Sequence, residues 1–191
     1  MKILAVAAAL VLVSQSVPPQ TGTEPRGIYD AVLRELFARH LNQVVPASYV
    51  LKAEYRAMGR ASDRVWTAFA GAPAALRTMV EQAIAAPPGP DDVHDPSHFA
   101  AAAHIVPTAE VTALTRSAPI EPTGYPAVAQ KYQARALVSL SKIVLTADRL
   151  DAMVYFSIGC GLRCGADGYV WLHRKAITDS WTAKLQYTGM A

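Results

Sequence analysis

The C-terminal third constrains this chain more than any other stretch. Four β-forming runs follow one another at regular spacing, separated by turn signals: Ala136 to Leu145, Asp151 to Ile158, Tyr169 to Lys175 and Trp181 to Tyr187. Such spacing predicts an antiparallel meander. Period two assigns faces within it, with Ala152, Val154, Phe156 and Ile158 on one side of the second run and Met153, Tyr155 and Ser157 on the other. A sheet with an apolar face requires a cover, and the N-terminal half supplies helical patterns. From Gly27 to Leu41, Ile28, Val32, Leu36 and Phe37 recur at helical spacing. Pro73 opens a second helix reaching Ala85, and Thr108 caps a short third one running toward Leu114. Strands are expected near Ser48 to Tyr55 and Ala101 to Val106, and Trp66 and Phe69 read as core plugs. The expected fold is α+β, with N-terminal helices packed on one side of a C-terminal four-stranded antiparallel meander.

Length and composition bound what such a domain does. The chain has 191 residues, of which 52% are hydrophobic, enough for one packed core. A net charge of +3 with scattered Lys and Arg excludes the basic stripe of a nucleic-acid binder. Two cysteines exclude a disulfide-dense scaffold and a zinc site made of cysteine alone.

Residues 1–16 read as an address. Lys2 precedes an apolar run from Ile3 to Val13, and Ser14, Gln15 and Ser16 follow, the order of a secretory signal peptide. The run is well short of the roughly 20 residues that span a bilayer. Cleavage after Ser16 is therefore expected, leaving a flexible lead-in over 17–26, a single α+β domain over 27–191 and no membrane span. The mean hydropathy of +0.17 owes part of its value to the removed segment.

The glycine-rich loop Gly159 to Gly168 is the most distinctive chemistry in the chain. Cys160 and Cys164 have no other thiol to pair with, and export places them in an oxidising compartment. The leading reading is a disulfide-stapled hairpin, stabilised by about 2 kcal/mol on chain-entropy grounds. Two readings compete with it: a redox-active pair, disfavoured by the C-x3-C spacing, and anion capture by backbone N–H groups with Arg163. Gly161, Arg163, Gly165, Tyr169 and Trp171 form the candidate interaction loop and its flank.

The remaining candidates are weaker. Asp91, Asp92, His94, Asp95 and His98 crowd a proline-rich segment over Ala86 to Ser97, where a solvated loop is the expected state and a divalent cation the competing one. His173 shares a strand face with Tyr169 and Trp171 and reads as a sheet-surface residue; His104 has no carboxylate at a recognisable spacing. The G-x-S-x-G, H-E-x-x-H, S-x-x-K and G-x-G-x-x-G patterns are all absent. No cofactor and no metal are expected, and no residue stands out as catalytic.

The string from Leu140 to Leu172, LSKIVLTADRLDAMVYFSIGCGLRCGADGYVWL, resembles a family of uncharacterised exported bacterial proteins. In that family a strand of the type LSRVGF leads to a turn with Asp, then a strand ALVYV, a loop CGxLCGxGYYVLL and a tryptophan strand. Here Cys160, Gly161, Cys164, Gly165, Gly168, Tyr169 and Trp181 carry the likeness, while Leu145 and Ile177 to Ser180 depart from it. The family carries no assigned activity, so the resemblance implies fold and export and transfers no catalytic residue. Two functions are therefore expected in order: a non-enzymatic exported binding domain presenting the stapled loop to a protein or small ligand, and a small exported hydrolase whose site forms near that loop.

Overall fold

A computed structural model describes residues 23–43, 48–100, 103–116, 125–161 and 165–189. The signal segment, most of the lead-in, and Arg163 and Cys164 lie outside the described residues. In chain order the elements are α1 (Thr23–Leu41), β1 (Tyr49–Lys52), α2 (Asp63–Ala68), α3 (Ala74–Ala85), β2 (Ala103–Val106), α4 (Thr108–Arg116), α5 (Tyr125–Tyr132), β3 (Leu137–Leu140), β4 (Val144–Leu145), β5 (Asp151–Gly159), β6 (Gly165–His173) and β7 (Thr182–Gly189). A 3-10 turn, Pro96–His98, precedes β2.

The mixed α and β character agrees with expectation, but the sheet is larger than the predicted meander. It has seven strands in the order β2-β1-β3-β5-β6-β7, with β4 paired to β5. The antiparallel run through β3, β5, β6 and β7 is present. Beyond it, β1 lies parallel to both β3 and β2. The N-terminal half therefore contributes strands to the same sheet as well as helices to cover it.

The helices occupy both faces, which corrects the one-sided packing expected. Ile28, Val32, Leu36 and Phe37 of α1 pack on Ala152, Val154, Phe156 and Ile158. On the opposite face Met153 and Tyr169 meet Val65, Phe69, Leu76 and Val80 from the α2–α3 region. Farther along that face Val50 packs against Val111 of α4 and Val128 of α5. Both faces of β5 are buried, so the face assignment from period two holds while each face has its own helical cover. Phe69 is a core residue, whereas Trp66 is half-buried beneath the Arg77 guanidinium.

Local chemistry explains the other departures. α1 begins at Thr23, inside the expected lead-in, because Pro25 falls in the first turn, where a missing N–H costs nothing. It ends at Leu41: Asn42 adopts a left-handed φ of 51°, and the Gln43 N–H returns to the Phe37 carbonyl at 3.1 Å. The run Ala136 to Leu145 divides into β3 and β4, with a one-residue slip in their pairing to β5. Between them Ser141 takes part in the ladder with its side chain, its Oγ accepting the Tyr155 N–H at 2.9 Å.

Candidate functional site

The turn leading into β5 is wound around two small side chains. Asp148 Oδ1 accepts the Thr146 hydroxyl at 2.7 Å and the Leu150 N–H at 3.1 Å. This winding leaves Arg149 with a left-handed φ of 59°. Just after β6, Arg174 is buried and its guanidinium binds three segments. Nε donates to the Arg149 carbonyl at 2.8 Å, Nη1 to the Ile177 carbonyl at 2.8 Å, and Nη2 to Glu24 Oε1 in α1. Its plane also stacks over Trp181, 4.4 Å from the ring centroid. Glu24 is buried and pairs with Arg149 as well. Burial pushes Arg174 down from its ordinary value while Asp179 opposes that shift. The carboxylate of Glu24 is what makes the buried Arg174 tolerable at this depth, and it also faces the half-buried Arg149.

These groups enclose a cleft of about 440 Å³, lined among others by Glu24, Asp30, Arg34, Arg149, Asp179 and Trp181. Its size falls in the range of small-molecule sites, roughly 300–1,000 Å³. Two of its buried donors are unsatisfied: Arg149 Nε and Trp181 Nε1 have no hydrogen-bond partner. An unpaired buried donor costs about 1–3 kcal/mol, so two in one cleft call for an explanation.

A second cavity, about 190 Å³, is lined by Pro25, Tyr29, Tyr55, His98, Lys142 and Ile143. It adjoins the acidic and histidine-containing segment, which is pinned rather than solvated. The His94 N–H donates to the Ala53 carbonyl at 2.8 Å, and the Tyr55 N–H to the Asp92 carbonyl at 3.0 Å. Glu54 and Val93 form an antiparallel bridge. His94 is 2% exposed, with its ring 4.0 Å from that of Tyr55 and 5.5 Å from that of Tyr29. Neither of its ring nitrogens has a hydrogen-bond partner. Burial lowers its pKa to about 4, with the nearby Leu140 backbone pulling the other way and His98 adding a small repulsion. Asp92 pairs with Lys142 at 2.8 Å, and Asp95 caps the 3-10 turn by accepting the Ser97 N–H at 2.9 Å. The expectation of a solvated loop is thus overturned at His94. Among the described residues no three His, Cys, Asp or Glu side chains stand together as a metal site.

The predicted interaction loop is shorter than expected, because β6 begins at Gly165, which pairs with Gly159. Gly161 takes a φ of +128°, which only glycine adopts without strain. Its flank is not an open binding face. Tyr169 is 2% exposed, donates its hydroxyl to the Gly59 carbonyl, and is raised in pKa by burial. Trp171 is half-buried and donates Nε1 to Asp151 Oδ1 at 2.8 Å. Helices α2 and α3 and the segment around Gly59 cover this face.

His173 does have a carboxylate partner. Its Nδ1 lies 3.0 Å from Asp151 Oδ1, and Asp151 is 5% exposed. The pair closes the open end of the β5–β6 hairpin, eight ladder steps from the Gly159–Gly165 end, or about 27 Å. His173 is therefore remote from the loop near which a hydrolase site was expected. His104 is exposed on β2, its ring 5.6 Å from that of Tyr132.

Sequence reasoning missed Glu24, Arg149, Arg174 and the pocket role of Trp181. They lie far apart along the chain and match no motif; Arg174 fell inside the predicted strand Tyr169 to Lys175 and Arg149 in the predicted turn before the second run. Comparison with known protein families, with curated proteins and with solved structures returns no match to this chain.

Proposed function

We propose that this chain is an exported, non-enzymatic binding domain that takes a small polar ligand in the cleft between α1 and the β6–β7 turn. The observation that carries the reading is the pair of unpartnered buried donors, Arg149 Nε and Trp181 Nε1, on one cleft of about 440 Å³. A ligand supplying acceptors would remove the cost of burying them. Export rests on the sequence of residues 1–16, and a Cys160–Cys164 bridge belongs to the same proposal. The pairing of Gly159 with Gly165 supports it by bringing the ends of the loop together. The test is a thermal-shift screen of the full chain against small polar metabolites. A stabilising compound is expected, with its shift reduced in Arg149→Lys, which keeps a charge facing Glu24 but removes the Nε–H. No shift from any compound, or an unchanged shift in Arg149→Lys, would overturn the reading.

The contact of Asp151 with His173 Nδ1 favours a second reading, a hydrolase with that pair as its orienting carboxylate and base. Nitrophenyl esters spanning several acyl lengths test it. Turnover that disappears in His173→Asn supports the enzyme, and turnover unchanged in that variant removes it.

A further inference from the structure

We infer that the cleft takes a small zwitterion: a free amino acid or a short peptide with both termini uncapped. This inference rests on the cleft being a ligand site and names the chemistry of the ligand. Three arginines and three carboxylates line the cavity, so its wall carries no net charge: Arg34, Arg149 and Arg174 against Glu24, Asp30 and Asp179. Toward solvent lie Arg34, Asp30 and Asp179, two carboxylates to one guanidinium, whereas Glu24 and Arg174 are buried. Glu24 is consumed internally by Arg149 and Arg174. The donors left over, Arg149 Nε and Trp181 Nε1, are buried, and Trp181 as a whole is 6% exposed. The remaining carboxylates face solvent: Asp179 is exposed, and Asp30 is 40% exposed with a loose 3.8 Å ion pair to Arg26.

The solvent side of this cleft therefore carries one negative charge in excess, while the unpartnered N–H donors belong to the buried parts of Arg149 and Trp181. A carboxylate, with its two oxygens and several lone pairs, accepts from a guanidinium Nε–H and an indole N–H together. A phosphate or polycarboxylate would satisfy the donors but would face an opening where Asp30 and Asp179 outnumber Arg34. A simple amine would suit the opening and leave the donors unpaired. A molecule with a carboxylate at one end and an ammonium at the other satisfies both.

Isothermal titration of the full chain with alanine, dialanine and trialanine tests the inference, because the series varies the separation of the two charges by about 3.5 Å per residue. N-acetylated and C-amidated forms of each, and inorganic phosphate, complete the set. At least one uncapped member is expected to bind, and each cap is expected to weaken it at least about tenfold, the loss of one charge-assisted hydrogen bond. Trp181→Phe keeps a ring beneath Arg174 and removes the indole N–H; it should weaken the uncapped peptide and leave the amidated one unchanged. Asp179→Asn, at an exposed position, should weaken the uncapped peptide and leave the acetylated one unchanged. Equal binding of acetylated and free peptides, or binding of phosphate alone, would overturn the zwitterion while leaving the cleft as an anion site. Failure of every probe here, together with a blank metabolite screen, would overturn both.

Discussion

Glu24 illustrates how one side chain can govern a whole region. Its carboxylate is 5% exposed and faces two guanidinium groups, one of them 6% exposed. Removing it would strand both charges, and breaking a buried pair from one side costs about 3–5 kcal/mol. Glu24→Ala is therefore expected to lower stability by about 3 kcal/mol, measured as a shift in the urea midpoint at constant slope. His94 makes a different prediction. Its folded pKa of about 4 lies below the value near 6.5 of an unfolded chain, so the unfolded state binds more protons between those limits. Stability should be unaffected by this group above about pH 6.5 and fall progressively toward pH 4, by at most about 3 kcal/mol. Denaturant titrations across that range check it, and His94→Phe should flatten the slope. Neither residue was legible in the sequence. Glu24 sits in a stretch whose prolines and glycines read as a linker, and His94 in one whose polarity read as solvent-exposed. In both cases a long-range contact outweighs local composition.

At the scale of elements, the alternation along β5 was legible because period two is a local property, and each of its residues fell on the face assigned to it. The short strands β1 and β2 lie within the expected runs, but their place in the sheet was not legible. β1 and β2 have only four residues each and pair in parallel with partners distant in sequence, which leaves no local turn signal. α4 was found, but its cap was not the expected one. The Thr108 N–H donates to Glu54 Oε2 at 2.7 Å, so a carboxylate 54 residues upstream serves the helix N-terminus. That contact, with help from Lys52 and against the cost of desolvation, holds the Glu54 carboxyl below its usual range. Glu54→Ala should cost about 1 kcal/mol, with the loss of hydrogen-exchange protection concentrated in the first turn of α4. The β5–β6 hairpin carries the proposed bridge. Replacing Cys160 and Cys164 by Ser should leave the protein folded and less stable by about 1–2 kcal/mol. Two free thiols in protein recovered from an oxidising compartment, detected by non-reducing mass spectrometry, would disprove the bridge.

At the scale of the molecule, a single sheet receives strands from both halves of the chain, and its two faces are covered by different helices. The candidate cleft follows from this arrangement, since α1 crosses one face and presents its first turn to the strand ends formed last in sequence. No motif search anticipates such a site, because its parts meet only after the topology is complete. One sheet also implies one unfolding event. Far-ultraviolet circular dichroism and tryptophan fluorescence should report coincident denaturation curves. Trp66 lies beside α3, whereas Trp181 stacks on Arg174 at the opposite face, so separate transitions would show that the halves melt independently.

The link between Glu24 and Arg174 spans 150 residues. A chain that crosses a membrane through a narrow channel, amino end first, would deliver α1 to the far side long before its anchoring arginine. Until Arg174 has emerged, α1 lacks that clasp, and until β6 has emerged it lacks the β5–β6 ladder on which it packs. Closure would then wait for Arg174 to pass, so the 150 residues ahead of it stay slack while they are pulled through and lock only afterwards.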